Sequence, residues 1–300
     1  MMNKVIINPT NFKTNYIGYL NQCFSNWGNE VQYSWAFERK AGNYSSDIIV
    51  LANEKDEIIA GSGLSFRNIK TDKDETIEIA IFTGSWTLPN ARGRGCFTQI
   101  IEVFEKICIQ KGIPYLTAFV TENNGSYRRF NDLNYYCLEA NNYLSLEVPF
   151  NNVKDFTIDF FHDNFPIDFF KSYCKNGIGK TILKYSETEF KGQFLNRVNK
   201  TFVIKIEDNY FLAEENDTTF RLLFFIEFNI QHIKYISNYI LKTRNKKTMF
   251  FLTQEENRIA CENENFNVIK GFFAVKNLLG NQSKAENIFK NLIINLADKM

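Results

Sequence analysis

Two hydrophobic periods alternate along this chain. Asp47–Ala52 and Glu57–Phe66 are short blocks of apolar and small residues, joined by the polar tetrad Asn53-Glu54-Lys55-Asp56, and this pattern predicts a β-hairpin. Thr76–Phe82 alternates strictly, with Ile77, Ile79 and Ile81 on one face and Glu78, Ala80 and Phe82 on the other, as a strand requires. From Gly95 to Gln110 the period lengthens to that of a helix. Phe97, Ile100, Ile101, Phe104, Ile107 and Cys108 form a single stripe, and Gly112 stops it. Tyr115–Val120 then predicts a strand, Asn123–Leu133 a short helix and Tyr135–Leu146 a returning strand. Ahead of these, Val5–Ile7 reads as a short strand. Asn11–Phe24 reads as a helix with Phe12, Tyr16, Tyr19, Leu20 and Cys23 at helical spacing.

A break follows between Pro149 and Asp163, after which a mixed pattern starts again. Pro166–Cys174 predicts a short helix, and Lys200–Ile206 with Tyr210–Glu214 a hairpin around Glu207-Asp208-Asn209. Thr219–Glu227 reads as a strand, Ile230–Leu241 as an amphipathic helix, Thr248–Thr253 and Asn267–Val275 as strands, and Asn281–Lys299 as a closing helix. The chain has 300 residues, which suits two domains, divided here as residues 1–149 and 150–300. The order hairpin, strand, helix, strand, strand occurs in both halves, as a diverged duplication would leave it. The expected class is therefore α/β with mixed sheets.

Composition narrows the function. Basic and acidic residues number 35 and 34, for a net charge of +1, and no block of five or six like charges occurs. A broad nucleic-acid-binding face would need a basic excess, so no nucleic-acid partner is expected. The six cysteines (23, 96, 108, 137, 174 and 261) contain no C-x-x-C pair, which argues against a zinc or disulfide framework. No metal is expected. The apolar stretch at the N-terminus is too short for a signal peptide, and no run reaches 18 apolar residues. A cytoplasmic protein that neither spans nor binds a membrane is the expectation.

One stretch carries chemistry. A strand ends at Leu88-Pro89, and Arg92-Gly93-Arg94-Gly95 then opens the helix at Cys96-Phe97. Glycines let the backbone approach a phosphate, the free N–H groups of a helix N-terminus point outward, and two arginines add attraction for a diphosphate. Short Gly/Arg turns are common, and a tight strand-to-helix turn with solvated arginines fits the same residues. Further on come Asn123-Asn124-Gly125-Ser126, then Phe130, then Asn134-Tyr135. Together these resemble the GNAT superfamily, the GCN-five-related N-acetyltransferases. That family shows a strand, a Pro, then Arg/Gln-x-x-Gly-x-Gly/Ala opening a helix, followed by an Asn, a Tyr and a Gly-Phe. The resemblance covers residues 1–147. It implies a GNAT-like acyltransferase fold, with the second half as a degenerate GNAT-like copy that lacks a cradle.

The resemblance also implies roles. Backbone N–H groups from Arg92 through Gly93, Arg94, Gly95 and Cys96 to Phe97 would hold the pyrophosphate of acetyl-CoA. Trp86, Thr87 and Leu88 would pair with its pantetheine amides, and Asn123 would contact the cofactor arm. Acyl transfer would be direct, with a strand N–H stabilising the oxyanion. Three departures bear on this. Phe97 stands where the family has Gly or Ala. Phe130 stands on the cofactor side where many members place a general-acid Tyr, and Tyr127, one turn earlier, is the substitute candidate, although a packing role suits it as well. Asn134 replaces the family Gly, at a position that tolerates Asn because Asn accepts a positive φ. Glu78 is the candidate general base, set against a plain solvent-facing strand position, with water as another proton acceptor.

The remaining candidates are weaker. His162 and His232 lie far from the motif. Cys96 is explained by its backbone without thiol chemistry, and Gly177-Ile178-Gly179-Lys180 lacks the spacing of a P-loop. The function expected is an acetyl-CoA-dependent N-acetyltransferase acting on the amine of a small molecule or amino sugar. A non-catalytic acyl-CoA sensor or scaffold and a tRNA-dependent aminoacyl transferase are the competing readings. The second half would complete the acceptor cleft or mediate homodimerisation.

Overall fold

The structure is a computed structural model that describes residues 3–39, 43–145, 150–151, 153–244 and 246–299. Its first half runs β1 (Lys4–Ile7), α1 (Lys13–Phe24), α2 (Glu30–Tyr33), β2 (Asp47–Ala52), β3 (Ile58–Lys70), β4 (Thr76–Thr87), α3 (Cys96–Gln110), β5 (Tyr115–Thr121), α4 (Gly125–Asp132), β6 (Tyr136–Glu139) and β7 (Asn142–Ser145). The second half runs β8 (Ile158–Phe161), α5 (Phe169–Asn176), β9 (Thr181–Lys184), α6 (Glu187–Phe190), β10 (Thr201–Ile206), β11 (Asn209–Glu215) and β12 (Thr219–Phe225). It continues with α7 (Ile230–Thr243), β13 (Thr248–Leu252), α8 (Arg258–Asn263), β14 (Asn267–Ile269), β15 (Gly271–Asn277), α9 (Gln282–Phe289) and β16 (Leu292–Ile293).

Two mixed sheets result. In the first, the order is β1-β2-β3-β4-β5-β15-β6, with β9 on the far end of β3 and β16 beside β9. In the second it is β14-β7-β13-β12-β11-β10-β8. Each sheet has an antiparallel set (β2-β3-β4 and β10-β11-β12) whose last strand crosses over through a helix to a parallel neighbour, β4 to β5 through α3 and β12 to β13 through α7.

Of the stripe predicted for α3, Ile100, Ile101, Phe104, Ile107 and Cys108 are buried, and Cys96 is buried in place of Phe97, which is half-buried at the edge of the cleft. All but Ile101 pack on Leu64, Phe66, Ala80 and Leu116, and Ile101 packs on Ala118, Val120 and Phe130. The opposite face of the first sheet is covered at one end by α1 and by the π-turn Ser34–Glu38 that follows α2, through Tyr16, Leu20 and Phe37, and at the other by the second half. There Ile79, Ile81 and Val275 meet Tyr173, Phe190, Phe194 and Phe289 in one core that joins the halves.

Several predicted elements change shape. The strand expected over Tyr135–Leu146 is two strands, with β6 in the first sheet and β7 in the second; Leu146 itself lies outside the described residues. The strand expected over Asn267–Val275 divides likewise into β14 and β15. The two pairs form one antiparallel ribbon of unbroken register, from Val275↔Tyr136 through Phe272↔Glu139 to Ile269↔Asn142 and Asn267↔Leu144. The ribbon passes between the sheets where Ala140-Asn141 crosses Lys270-Gly271. There Ala140 N donates to Gly271 O at 2.7 Å and Gly271 N to Asn141 Oδ1 at 3.0 Å. A Cβ on Gly271 would lie 2.5 Å from Ala140 O, so the crossing needs glycine. The predicted closing helix stops at Phe289, and a short strand and a 3₁₀ turn over Leu296–Asp298 replace its second part. Thr76–Phe82 extends to Thr87, and β8 forms within the expected break, whose first residue, Pro149, is not described.

Candidate functional site

The site begins with a bulge. In the β3–β4 pairing Thr83 faces Gly63 and Trp86 faces Gly61, so Gly84 and Ser85 together oppose Ser62. Gly84 takes φ +59°, the left-handed conformation such a bulge uses. The extra residue bends β4. Its parallel pairing with β5 lasts only from Ile79↔Tyr115 to Ile81↔Thr117, although β4 continues to Thr87 and β5 to Thr121. Beyond Ile81 the strands form a fork with unpaired inner edges. Tight packing fixes the bend: a Cβ at Gly63 would come within 2.6 Å of the Phe37 ring, and one at Gly61 within 2.7 Å of Trp86.

The fork opens into a cleft of about 1020 Å³. Gly84 to Thr87 line one side and Ala118 to Thr121 the other. Its upper wall is the turn from β4 to α3. Gly93 and Gly95 hold φ of +76° and +78°, and an added Cβ at either meets nothing within 4 Å. These glycines are required by conformation, and the space before them is open. Gly95 caps α3 without a side chain. Among the described residues the N–H groups of Gly93, Gly95, Phe97 and Thr98 have no protein acceptor. Four outward N–H groups at the positive end of a 15-residue helix make an anion cradle.

Trp86, Thr87, Arg92, Gly93, Gly95, Cys96, Phe97, Asn123 and Phe130 line the cleft, and Arg94 stands exposed at its rim. Leu88 turns into the packing of α1, and its N–H donates to Ile59 O at 2.9 Å. Phe97 does not block the cradle. Its ring packs edge-on against Phe130, with centroids 5.6 Å apart, and also against Phe82. The bulk that replaces a small residue is absorbed by an aromatic cluster beneath the cleft. Burial raises the Cys96 thiol above its usual pKa, so it is a poor thiolate and its position serves the backbone.

Two candidates lie elsewhere. Glu78 precedes the paired stretch, on the closed side of the fork and about 10 Å along the strand from Ile81. Its carboxylate accepts from Asn43 N at 3.0 Å and Asn43 Nδ2 at 3.2 Å. Tyr127 stacks on Phe272 of the exchanged strand at 4.3 Å and does not line the cleft. Asn134 holds φ +57°, as its position requires. The sequence reading missed Cys23 and Phe24 at the end of α1 and the arginines Arg128 and Arg129 of α4, all of which line the cleft. The adjacent arginines were visible in the sequence, but only the fold brings them to the cleft.

The second half repeats the crossover without the cradle. Asn229 caps α7 and accepts from Gln231 N and His232 N, so its own side chain fills the place an anion would take. His232 is buried beside Asn209 and Glu207, His162 packs on Phe202, and Gly177–Lys180 is a turn after α5. Among the described residues no group of three His, Cys, Asp or Glu is placed to hold a metal, and no helix is long and apolar enough to cross a membrane.

A bulged strand forking from a parallel neighbour, with a glycine cradle opening the crossover helix, defines the GNAT fold. The second sheet repeats the bulge and the crossover without the cradle, so the chain has the tandem form of that fold. The chain superposes on a GCN5-related N-acetyltransferase from Anabaena variabilis with a TM-score of 0.61 at 13% identity, covering 95% of this chain and 75% of that one. A tandem GNAT protein from the clavulanic acid biosynthesis pathway gives 0.63 at 9% identity, covering 93% of this chain and 100% of that one. Saccharomyces cerevisiae N-myristoyltransferase with bound myristoyl-CoA gives 0.63 at 10% identity, covering 92% and 80%. No protein-family model and no curated protein matches the sequence.

Proposed function

We propose that this chain is an acyl-CoA-dependent N-acyltransferase, with acetyl-CoA as donor and the amine of a small molecule or amino sugar as acceptor. One observation carries the reading. Among the described residues, those lining the cleft include Arg92, Arg128 and Arg129 and not one Asp or Glu, in a chain whose acidic and basic residues number 34 and 35. A cleft with an open N–H cradle and no acid suits a polyanion.

The donor supplies an activated acyl carbonyl as a thioester. The cradle N–H groups of Gly93, Gly95, Phe97 and Thr98 bind its diphosphate. The unpaired edges of β4 and β5 bond the amides of the pantetheine arm and draw the thioester toward the fork. There an N–H of β4 stabilises the carbonyl oxygen as the amine adds. The new N–C bond forms, the C–S bond breaks, the thiolate leaves, and the amine proton passes to solvent. Calorimetry with acetyl-CoA tests the binding step, and absence of heat at millimolar ligand would sink the reading.

A second reading has its own support. Among the described residues no tyrosine, histidine or carboxylate lines the cleft, which suits a non-catalytic acyl-CoA sensor. CoA release across a panel of amines separates the two: turnover excludes the sensor, and tight binding without turnover favours it.

A further inference from the structure

The second sheet has an opening of its own. β12 pairs in parallel with β13 only from Thr219↔Thr248 to Leu222↔Phe251, and at this end of the sheet lies a second cavity of about 370 Å³. Phe224 to Phe228, at the end of β12 and just after it, line this cavity, as do Gln254, Glu256 and Asn257 after β13. The turn after α5 adds Gly177 and Lys180. No lining residue is shared with the first cleft. Ile182 of the cavity wall pairs with Lys70, and Lys70 pairs with Thr76 at the start of β4. Thr76 and Phe82, the first β4 residue of the cleft, stand about 20 Å apart along the strand.

The two linings carry opposite charge. Among the described residues the cleft has three arginines and no acid, whereas the cavity has Glu227 and Glu256, no arginine, and Lys180 as its cation. A diphosphate finds no cradle here, because the Asn229 side chain takes the first N–H groups of α7. The Glu227 carboxylate and the Gln254 amide have no ion pair or hydrogen bond among the described residues. Glu256 already attracts one ammonium, since Lys180 Nζ lies 3.8 Å from it. Phe224, Phe225 and Phe228 add aromatic surface, and ring faces attract cations. Among the described residues no group of three His, Cys, Asp or Glu could hold a metal, so the cation that suits this lining is an organic one.

We propose that this cavity binds a small aliphatic amine, with its ammonium at Glu227 and Glu256 and its carbon chain against the phenylalanines, as a second ligand site apart from the first cleft. The site does not depend on the acyl-CoA reading. Lys180 is then a competitor, an ammonium of the chain's own that the ligand displaces from Glu256. Both carboxylates are exposed, so salt weakens the attraction.

The experiment is calorimetry of the full chain with n-pentylamine, n-pentanol and pentanoate, which share a carbon chain and differ in charge. The variants are Glu227→Gln, Glu256→Gln and Lys180→Met, and thermal melts verify that each folds. The wild-type chain is expected to bind the amine about tenfold more tightly than the alcohol, and each Gln variant to lose most of that preference. Lys180→Met tightens the amine. Equal binding of amine and alcohol overturns the proposal, and so does tighter binding of pentanoate. Amine binding unchanged in both Gln variants also overturns it, because the amine then sits elsewhere, as at the acceptor end of the first cleft. A Lys180→Met variant that weakens the amine counts against it equally. Acetyl-CoA titrated into the same variants reads the first cleft separately and should bind as it does to the wild-type chain.

Discussion

Asp298 is a carboxylate placed where ionisation is unfavourable. It is buried between the halves, accepts from Tyr185 Oη at 2.9 Å and from Asn295 N at 2.7 Å, and burial pushes its pKa up to about 6. The native state therefore holds a proton that the unfolded chain, with an ordinary value near 4, has released. Its contribution to stability is fully present below about pH 4 and is lost as the pH rises to about 6, a change of about 3 kcal/mol. Denaturant melts across this window should show that decline. Asp298→Asn should remove the slope, whatever it does to the level, and an unchanged slope would refute the assignment. Glu78 and Tyr127 stand outside the cleft, so Glu78→Gln and Tyr127→Phe should leave kcat within about threefold of wild type, far from the 10²–10⁴ that a general acid or base contributes. A hundredfold loss with an altered pH profile would return either residue to the chemistry. The alternation around Glu78 was readable in the sequence. Its distance from the fork was not, because period-two patterning gives the face of a residue and not its place along a strand that runs on to Thr87.

The two crossover helices solve the same end problem in opposite ways. Cap residue Gly95 leaves the first N–H groups of α3 without a side-chain acceptor, whereas the Asn229 side chain accepts from Gln231 N and His232 N of α7. Asn229→Ala should cost about 1 kcal/mol of stability and leave CoA binding unchanged. Gly95→Ala forces a positive φ on a residue with a Cβ and should cost about 1–2 kcal/mol, weakening CoA binding as the turn relaxes. Thermal melts and calorimetry on both variants check the pair. If Asn229→Ala weakened CoA binding as much as Gly95→Ala, the contrast between the helix ends would fall. Local signals made this region legible: the stripe of α3, its glycine stop and the Gly/Arg turn all depend on neighbours within a few residues. The ribbon was not. Tyr136–Ser145 and Asn267–Asn277 stay extended through the crossing, and no change of period marks the point where each leaves one sheet for the other. Only Gly271, required by its contact with Ala140, betrays the crossing, and a lone glycine in a strand carries several meanings.

The halves are joined by more than a shared core. Arg39, next to the π-turn after α2, donates to Gly192 O at 2.7 Å and to Gln193 Oε1, and Trp35 donates to the same carbonyl at 3.1 Å. Arg39 and Arg197 both lie over the Trp35 ring, at 4.4 and 4.7 Å. Residues 1–149 alone would lack β15, which bonds to β5 on one side and β6 on the other. That fragment should aggregate or remain unfolded, and a cooperative melt with native far-UV circular dichroism would show that the exchange is dispensable. The same strand places Phe272 beneath Tyr127 and Phe273 against Phe119, a residue of the cleft wall. A copy that has filled its own anion site thus remains the masonry of its neighbour's. Deletion of the second half would take a wall from the first. The crossing at Gly271 works as a ratchet that ties the sheet without a cradle to the integrity of the sheet that has one.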